Sequence, residues 1–425
     1  MKSFFYTTTL FIVMVLSGCS THKVVKPIYI SQDVENYTKG LDTNISLSFS
    51  NYKEHYFTPW YLTKPTKSLK EISWAFTSYE DRENYGANLC LLKKSFFTKM
   101  RENANFKAYG NVNKIAITLD ELDLRAMPTS QPLFADPKKA GEGFPFDYLQ
   151  NSTIHQNKPL FVTHYSKDRE WVHVESSFTY GWVKVKDIKF ISKAQRDLIL
   201  SHPLAVVQKE NIAFYDKENR YIGKTKFGML LPIVSESKIG YQVAFLQRDK
   251  QKFSTVEISK DVIHKDILHF NKQNVTKILS QLLKNKYGWG GMNGERDCSS
   301  TLRDFYAPFG LWLPRNSSQQ AKVGTVVSLD TLNEEERIAL IKKRAIPFRT
   351  LLYKRGHILL YVGYDKDDII VFQNMWGIRT LKSGKSGRYI IGKALFSKLE
   401  FGENLEDYDS SKKMIEKLKS FNILF

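Results

Sequence analysis

Hydrophobic and polar residues alternate along two stretches in the middle of the chain, and this alternation predicts short β-strands. The first stretch contains KIAITLDELDLRAMP (114–128), PLFVTHYSKDREWVHVES (159–176) and YGWVKVKDIKFI (180–191). The second stretch, 204–263, contains AVVQKENIAFYDKENRYIGKTKFGMLLPIV. Short strands of valine and aromatic residues between Gly, Pro, Asp and Ser clusters are typical of small barrels. We therefore predict two small β-barrels, one over 114–195 and one over 196–268.

The pattern changes to a helical period after the second barrel. Apolar residues between 271 and 283 recur every three or four positions, which predicts an amphipathic helix. A second helix is predicted to begin at Cys298, where the amphipathic run TLRDFYAPF follows DCSS. Further elements are predicted in this order: a polar helix over 332–343, strands over 357–364 and 369–373, and a helix over 405–418. The pattern indicates an α+β domain over 269–400, followed by a helical tail over 401–425 that packs on the outside.

The N-terminal part of the chain divides into a leader and a further domain. Residues 19–113 mix helical runs with aromatic, turn-rich stretches, which indicates a helical or α+β accessory domain. Residues 1–18 carry one lysine and a short apolar run, as in a secretory signal peptide. The run is too short to span a bilayer.

The leader ends in LSGC (16–19), which resembles a bacterial lipobox. In leaders of that kind the cysteine is acylated, so the resemblance implies lipidation of Cys19 and a membrane anchor. Ser20 follows Cys19, which by the sorting rule of such lipoproteins favours the outer membrane, facing the periplasm. The alternative is an ordinary signal peptide in which Cys19 is incidental.

Composition limits the classes of partner. Lysine and arginine exceed aspartate and glutamate by 63 to 44, a net charge of +19. Export argues against nucleic acid, and the polyanions outside the cytoplasm are cell-wall polymers, phospholipid headgroups and lipopolysaccharide. A basic surface that only aids solubility is the alternative. The scarcity of cysteine and histidine motifs argues against a metal site, and no cofactor is expected. Cys90 is expected to pack in a core.

Cys298 is the candidate nucleophile. A cysteine at the start of a helix has amide dipoles directed at its sulfur, which favours the thiolate, and its own amide can serve an oxyanion hole. A thiol also needs a base, and His357 in RGHILLYVGY is the candidate. The alternatives are a small buried cysteine and a histidine that only caps a strand.

Four motifs in the last domain resemble those of the NlpC/p60 peptidases of bacterial cell walls. They are YGWGG (287–291), DCSS (297–300), PRNS (314–317) and GHILLYVG (356–363). The resemblance implies a papain-like core, preceded by an accessory domain and two SH3-like barrels. It also implies that Cys298 is the nucleophile and His357 the general base and acid.

The third catalytic position departs from the commonest pattern of that family, which has histidine there. Gln373 takes the matching place in VFQNMWG, and its amide can accept from the imidazole. Strand geometry makes the choice depend on the hairpin loop after the histidine strand. An odd loop puts Gln373 on the side of His357, and an even loop puts Asn374 there. We follow the resemblance and predict Gln373.

The resemblance further implies which residues bind substrate. Tyr287 matches the family's active-site tyrosine. Asp297, Ser299 and Ser317 match positions that hold the free amine of the L-Ala at the end of a stem peptide, at a groove end that an SH3-like domain closes. Tyr148 or Asp147 is a candidate contribution from the first barrel. Asp297 as a simple helix N-cap is the alternative.

The function implied by the resemblance is hydrolysis of peptidoglycan stem peptides. The expected bond is the amide between D-γ-glutamyl and a diamino acid, usually meso-diaminopimelate. The alternatives are an inert murein-binding lipoprotein scaffold, and an amidase or acyltransferase on the same core. The sequence leaves the oligomeric state open.

Overall fold

The computed structural model describes residues 25–248, 252–366 and 368–425. The predicted leader and Cys19 lie outside this part of the chain. None of the helices within it combines the length and the apolar character needed to cross a membrane.

The N-terminal unit is built from short helices and aromatic turns. Its elements are α1 (Val34–Thr38), β1 (Asn44–Ile45), α2 (Phe49–Phe57), α3 (Leu69–Ile72), α4 (Trp74–Tyr79) and α5 (Lys94–Asn103). Trp60 is buried, and its indole N–H donates to the carbonyl of Ala116 in the first barrel at 2.8 Å. At the other end, the hydroxyl of Thr38 lies 2.8 Å from that of Thr276 in the last domain. The N-terminal unit therefore links the first barrel to the last domain.

The first barrel is a seven-stranded antiparallel sheet. Its elements are β2 (Lys114–Thr118), β3 (Leu122–Arg125), β4 (Gln150–Ile154), β5 (Pro159–Tyr165), β6 (Trp171–Glu175), β7 (Tyr180–Lys184) and β8 (Ile188–Phe190), followed by α6 (Lys193–Leu200). The strand order is β4-β3-β7-β6-β5-β2-β8. Alternate residues such as Leu124, Val162 and Val174 are fully buried in its core. The long loop between β3 and β4 reaches the last domain.

The second barrel is a five-stranded sheet with an added hairpin. Its strands are β9 (Leu204–Val207), β10 (Ala213–Tyr215), β11 (Tyr221–Lys224), β12 (Leu230–Glu236), β13 (Gly240–Leu246), β14 (Phe253–Ser259) and β15 (Ile263–Lys265). The sheet order is β14-β13-β12-β9-β15, and β10 pairs with β11. Its buried residues Val207, Leu231 and Phe245 belong to the same hydrophobic cluster as the helices of the last domain. The second barrel and the last domain thus share one core.

The last domain packs helices against a six-stranded antiparallel sheet. Its elements are β16 (Phe270–Asn271), α7 (Lys272–Leu282), α8 (Cys298–Tyr306), α9 (Ser317–Gln320), β17 (Thr325–Ser328), α10 (Glu334–Arg344), β18 (Thr350–Lys354), β19 (His357–Asp365), β20 (Asp368–Lys382), β21 (Lys385–Lys398), α11 (Met414–Lys417) and β22 (Leu418–Ile423). The sheet order is β17-β22-β18-β19-β20-β21. Leu302 and Phe305 of α8 pack with Ile358 and Phe372 of the sheet, because the apolar face of the helix is directed inward.

The C-terminal segment differs from the predicted helical tail. Within 405–418 the only helical pieces are a 3-10 turn (Ser410–Lys412) and the single turn α11, and the chain then forms β22 between β17 and β18. Leu418 and Phe421 of β22 are fully buried. This short strand is stabilised by pairing with β17 and β18, which lie far away in the sequence. A helical period in the local sequence gives no information about such partners. The C-terminus is therefore an inner strand of the sheet rather than an external helix.

The two cysteines in the described part of the chain are both free. Cys298 is buried, whereas Cys90 is exposed. The expectation that Cys90 packs in a core is therefore wrong: the amide of Cys90 donates to the side chain of Asn88 in a surface turn. Cys90 does not form a disulfide with Cys298.

Candidate active site

Cys298 is the first residue of α8. Asp297 is the N-cap, and its side chain accepts from the amide of Ser300 at 2.8 Å, while the hydroxyl of Ser300 accepts from the amide of Asp297 at 2.9 Å. This capping box provides acceptors for the backbone N–H groups of Asp297 and Ser300, on either side of Cys298. The amide of Cys298 has no acceptor in the described residues. One backbone donor is therefore free beside the sulfur.

The surroundings of the Cys298 thiol favour its neutral form. Its side chain is 9% exposed, and burial, followed by the nearby Asp297 carboxylate, raises the pKa of Cys298 to about 12. The backbone N–H groups of Ile358 and Ser299 act in the opposite direction. The expectation that the start of the helix would lower the thiol pKa is therefore wrong on balance, because desolvation outweighs the favourable dipoles.

His357 opens β19, and Gln373 on β20 orients it. The imidazole Nε2–H donates to Gln373 Oε1 at 2.8 Å, and Gln373 Nε2 donates to the hydroxyl of Ser397 at 2.8 Å. This leaves Nδ1 as the ring nitrogen that can take a proton. Burial, followed by the charge of Lys354, lowers the pKa of His357 to about 4. A neutral imidazole is the form that a general base requires.

A β-bulge decides which residue of β20 faces His357. Two residues separate Asp365 from Asp368, an even loop that by itself would direct Asn374 toward the histidine. The register shifts by one residue between Tyr361 and Gly363. The shift restores Gln373 to the histidine side, as the bond between them requires.

Asn374 ties the start of α8 to the sheet. Its Nδ2 donates to the carbonyl of Arg296 at 2.8 Å and to the hydroxyl of Thr301 at 3.1 Å. Neighbouring residues on β20 therefore have separate partners, His357 for Gln373 and the residues around Cys298 for Asn374.

The second barrel holds Arg296, two residues before the thiol. Glu210 accepts two hydrogen bonds from the Arg296 guanidinium, at 2.6 and 3.0 Å, and Asp304 accepts a third at 2.7 Å. All three side chains are almost completely buried. A buried arginine between two carboxylates is held firmly in place, because any other position of its side chain would leave a buried charge without a partner.

The first barrel holds Asp297 through Arg315. The guanidinium of Arg315 lies 2.6 Å from Asp297 Oδ2, and its Nε donates to the hydroxyl of Ser152 on β4 at 2.8 Å. Arg315 also donates to the hydroxyl of Ser299 at 3.0 Å. Two of the predicted substrate-binding residues, Asp297 and Ser299, thus have buried partners within the protein. The N-cap interpretation of Asp297 is confirmed by its bond to Ser300.

The glycines of YGWGG let the last domain approach the first barrel closely. Gly290 and Gly291 both have positive φ, +60° and +86°. A Cβ on Gly290 would overlap the carbonyl of Gln150, and one on Gly291 would overlap the side chain of Thr153. Both of these barrel residues belong to β4. The turn can therefore carry no side chain at these positions without moving the barrel.

Aromatic side chains form the wall next to the thiol. Tyr287 is partly buried, and its pKa is raised first by burial and then by the charges of Cys298 and Asp297, which shows that it lies near both. Its ring centroid is 6.0 Å from that of Trp376. Phe146 of the β3–β4 loop packs edge-on against Trp376, at 5.9 Å. The loop of the first barrel therefore borders the catalytic groove.

The remaining predicted residues lie at the same border. Tyr148 packs edge-on against Trp289, with ring centroids 5.9 Å apart. The carboxylate of Asp147 forms an ion pair with Arg125 at 2.6 Å. The backbone carbonyl of Asp147 accepts a hydrogen bond from the indole N–H of Trp289. Ser317, the first residue of α9, is partly buried and its hydroxyl makes no hydrogen bond within the described residues.

Sequence reasoning missed five residues that hold the site together: Arg296, Arg315, Ser397, Glu210 and Ser152. Two of them had a signal, because Arg296 directly precedes DCSS and Arg315 lies inside PRNS. The other three are ordinary polar residues of strands or loops, and only the assembled domains bring them to the site.

Family comparisons match three parts of the chain. The model for the NlpC/P60 family matches residues 284–376, which contain all four motifs and Gln373. The model for the N-terminal stabilising domain of NLPC_P60 proteins matches residues 8–109, and an SH3 domain model of the SH3b1 type matches residues 132–184. A comparison with curated proteins gave no significant match.

Comparison with solved structures gave matches of very different quality. An NlpC/P60 endopeptidase from Photobacterium damselae subsp. piscicida is 22% identical, with a TM-score of 0.81, and the match covers 94% of this chain and 98% of that chain. An NlpC/P60 family protein from Bacillus cereus ATCC 10987 is 14% identical, with a TM-score of 0.46, covering 72% of this chain and 98% of that one. The first comparison shows that the multidomain fold extends over nearly the whole chain.

Proposed function

Because this chain carries an NlpC/P60 domain with a cysteine, a histidine and a glutamine brought together, we propose that it is a cysteine peptidase of peptidoglycan stem peptides. We propose the amide between D-γ-glutamyl and a diamino acid as the bond that it cleaves. The observation that carries the proposal is the hydrogen-bonded pair of His357 and Gln373, together with the buried thiol of Cys298, which the backbone N–H of Ile358, the residue after His357, contacts. A binding scaffold has no need for this arrangement.

The proposed reaction begins with transfer of the thiol proton to the histidine. Cys298 Sγ attacks the γ-glutamyl carbonyl while His357 Nδ1 takes its proton, and Gln373 Oε1 holds the ring through the Nε2–H. The imidazolium then protonates the leaving amine, and a thioester remains on Cys298. Water attacks the thioester with the imidazole as base, and this restores the thiol.

The starting pair is neutral because burial raises the pKa of the thiol and lowers that of the imidazole. Bound substrate must therefore promote the proton transfer. The free amide of Cys298 is positioned for the oxyanion of the tetrahedral intermediate. The hydroxyl of Tyr287 is a second candidate donor, since it lies near the sulfur.

We propose that the stem peptide lies with its amino end toward the first barrel. Phe146 and Tyr148 from this barrel border the groove, which supports a closed end. The Asp297 carboxylate and the unpaired hydroxyl of Ser317 are the candidate groups for the free amine of L-Ala. The bond between Asp297 and Arg315 competes with this role.

We also propose that the mature protein is anchored by acylated Cys19 in the outer membrane, on the periplasmic side. The LSGC motif supports this. Replacing Cys19 with Ser should move the protein from the membrane fraction to the soluble one, and a variant that stays with membranes through salt washing would contradict the anchor.

Digestion of defined stem peptides tests the proposed reaction. Wild-type protein should convert L-Ala-γ-D-Glu-meso-diaminopimelate into L-Ala-D-Glu and the free diamino acid, as measured by mass spectrometry. Gln373→Ala should lower kcat more than it raises KM, because its main effect is to disorient the imidazole. Release of any other fragment would reassign the bond. In a parallel digest of stems joined to N-acetylmuramic acid, release of the intact stem would favour an amidase.

A further inference from the structure

A cavity lies next to the pair formed by His357 and Gln373. Its volume is about 800 Å³, and Gln373 forms part of its wall. Lys354, another lining residue, lies directly opposite His357 in the β18–β19 ladder. The cavity therefore begins at Gln373, the partner of His357, and extends along β20 and β21.

Two partly buried cations of this cavity, Lys354 and Arg388, have no carboxylate partner among the described residues. Neither the ammonium of Lys354 nor the guanidinium of Arg388 forms an ion pair with any described residue. Lys354 makes no hydrogen bond there either, and Arg388 donates to the carbonyl of its neighbour Gly387. Both side chains are partly buried. Unpaired cations at the wall of a cavity indicate an anionic ligand, because partial burial without a counter-charge is unfavourable.

The arginine is also directly opposite another arginine. Arg379 and Arg388 are cross-strand partners in the β20–β21 ladder, a like-charge arrangement that destabilises a sheet. Asp409 pairs with Arg379 at 2.9 Å. Arg388 has no carboxylate partner of this kind among the described residues. Gly141, in the β3–β4 loop of the first barrel, lies so close to the Arg388 guanidinium that a Cβ at this position would be 2.8 Å from Nη2. The first barrel thus limits where this guanidinium can move.

The carboxylates near these cations already have partners. Glu400 accepts from the amides of Met414 and Ile415, at 2.8 and 2.6 Å, which caps the start of α11. Asp409 is held by Arg379 and by the hydroxyl of Ser411. The acidic groups therefore do not neutralise Lys354 or Arg388.

We propose that this cavity binds the side chain of the diamino acid on the leaving side of the scissile amide, and that Lys354 and Arg388 hold its distal carboxylate. The inference rests on the proposed peptidase function. Apolar residues of the same wall, Met375 and Ile378, fit the methylene chain between the two ends. The site would thus select a diamino dicarboxylic acid such as diaminopimelate over lysine, whose side chain ends in a cation alone.

Three synthetic stems test this selection. They are L-Ala-γ-D-Glu followed by meso-diaminopimelate, by its distal carboxamide, or by L-lysine. The carboxamide keeps the shape of the side chain and removes the charge. We expect kcat/KM to fall at least tenfold from the first stem to the second, and further for lysine, because charge-assisted bonds to the carboxylate are lost. Equal cleavage of all three stems would overturn the cavity assignment and leave the peptidase function standing.

Variants assign the effect to the two cations. Arg388→Gln and Lys354→Gln should each lower kcat/KM for the diaminopimelate stem about tenfold, and Arg388→Gln should raise it for the lysine stem by removing repulsion. Lys382→Gln, at the exposed far end of the same hairpin, is the matched control and should keep the wild-type ratio. An unchanged ratio in both cavity variants would contradict the proposal.

Binding to the Cys298→Ala protein separates this inference from the proposed function. Calorimetry with the three uncleaved stems should show tighter binding of the diaminopimelate stem, and the difference should shrink in Cys298→Ala/Arg388→Gln. If wild-type protein cleaves no stem, the peptidase function fails, and this binding series alone decides the cavity assignment. Equal affinity for the three stems would then overturn it.

Discussion

The two barrels hold adjacent residues of the same chain segment in different ways. The second barrel holds Arg296 through the buried carboxylate of Glu210. The first barrel holds Asp297 indirectly, through Arg315 and the hydroxyl of Ser152. Both contacts fix the segment that leads into Cys298. Only the first barrel also sends aromatic side chains to the groove.

The difference shows that similar modules serve different purposes in one protein. The second barrel shares a hydrophobic core with the last domain, so it contributes to the stability of that domain. Most strands of the first barrel pack in a core of their own, although Ile117 of β2 belongs to the shared core. The first barrel meets the site through a loop and the edge strand β4. Changes in the second barrel should therefore alter stability, whereas changes at the first-barrel border should also alter how peptides bind.

Acid should distinguish the barrels most strongly. The first barrel buries three histidines, and burial lowers the pKa of His155 to about 3, of His164 to about 4, and of His173 well below its usual value. The unfolded chain binds these protons near pH 6.5, so the folded state loses stability as pH falls from 6.5 toward 4. Between pH 6.5 and 4.5, proton uptake by the unfolded chain at His155 and at His164 should each lower the free energy of unfolding by on the order of 2 kcal/mol.

Denaturant unfolding between pH 7.5 and 4.5, followed by tryptophan fluorescence, measures this loss. The second barrel's His264 is exposed, so His264→Gln should leave the pH dependence as in the wild type. Stability that stays level between pH 6.5 and 4.5 would contradict the buried neutral state of the three histidines.

Glu210→Gln should produce the next largest effect. It leaves the Arg296 guanidinium buried with one carboxylate instead of two, and we expect a loss of about 3 kcal/mol in the free energy of unfolding. Glu236→Gln is the control on the same barrel, because its pair with Lys260 is exposed and should contribute little. Equal stability of the two variants would show that the buried pair does not support the fold.

Asp297→Asn should have a smaller effect on stability. Asparagine still caps α8, but it loses the ion pair with Arg315, which corresponds to about 2 kcal/mol. Activity adds a second readout. If Asp297 also holds the amine of L-Ala, the variant should lose its preference for free stems over stems joined to muramic acid. A retained preference would limit Asp297 to its contacts with Arg315 and α8.

Ser152→Ala should have the smallest effect. It removes one acceptor from Arg315, which keeps its bonds to Asp297 and Ser299, so we expect a loss of about 1 kcal/mol. KM for stem peptides should rise slightly at constant kcat, because the change acts at the border of the groove. A large fall in kcat would show that the first barrel positions the thiol directly.

The order of the domains and the candidate catalytic residues could be predicted from the sequence, because both depend on local patterns. The strands, the helix at Cys298 and the motif spacing are features of short segments. The choice between Gln373 and Asn374 could not be derived from the strand pattern. The even loop directs Asn374 toward His357, whereas the bulge directs Gln373 there, and the sequence pattern shows only the length of the loop. The partners of Arg296 and Arg315, and the C-terminal strand β22, depend on contacts between distant segments.

The two free cysteines provide the most direct test of the central claim, that Cys298 is the nucleophile of a stem-peptide hydrolase. Cys298→Ala and Cys90→Ala remove the same atom from a buried helix start and from an exposed turn. The measurement is the rate of L-Ala-D-Glu release from the diaminopimelate stem by each purified variant. We predict no detectable release by Cys298→Ala and a wild-type rate for Cys90→Ala. Continued release by a folded Cys298→Ala protein would contradict the account.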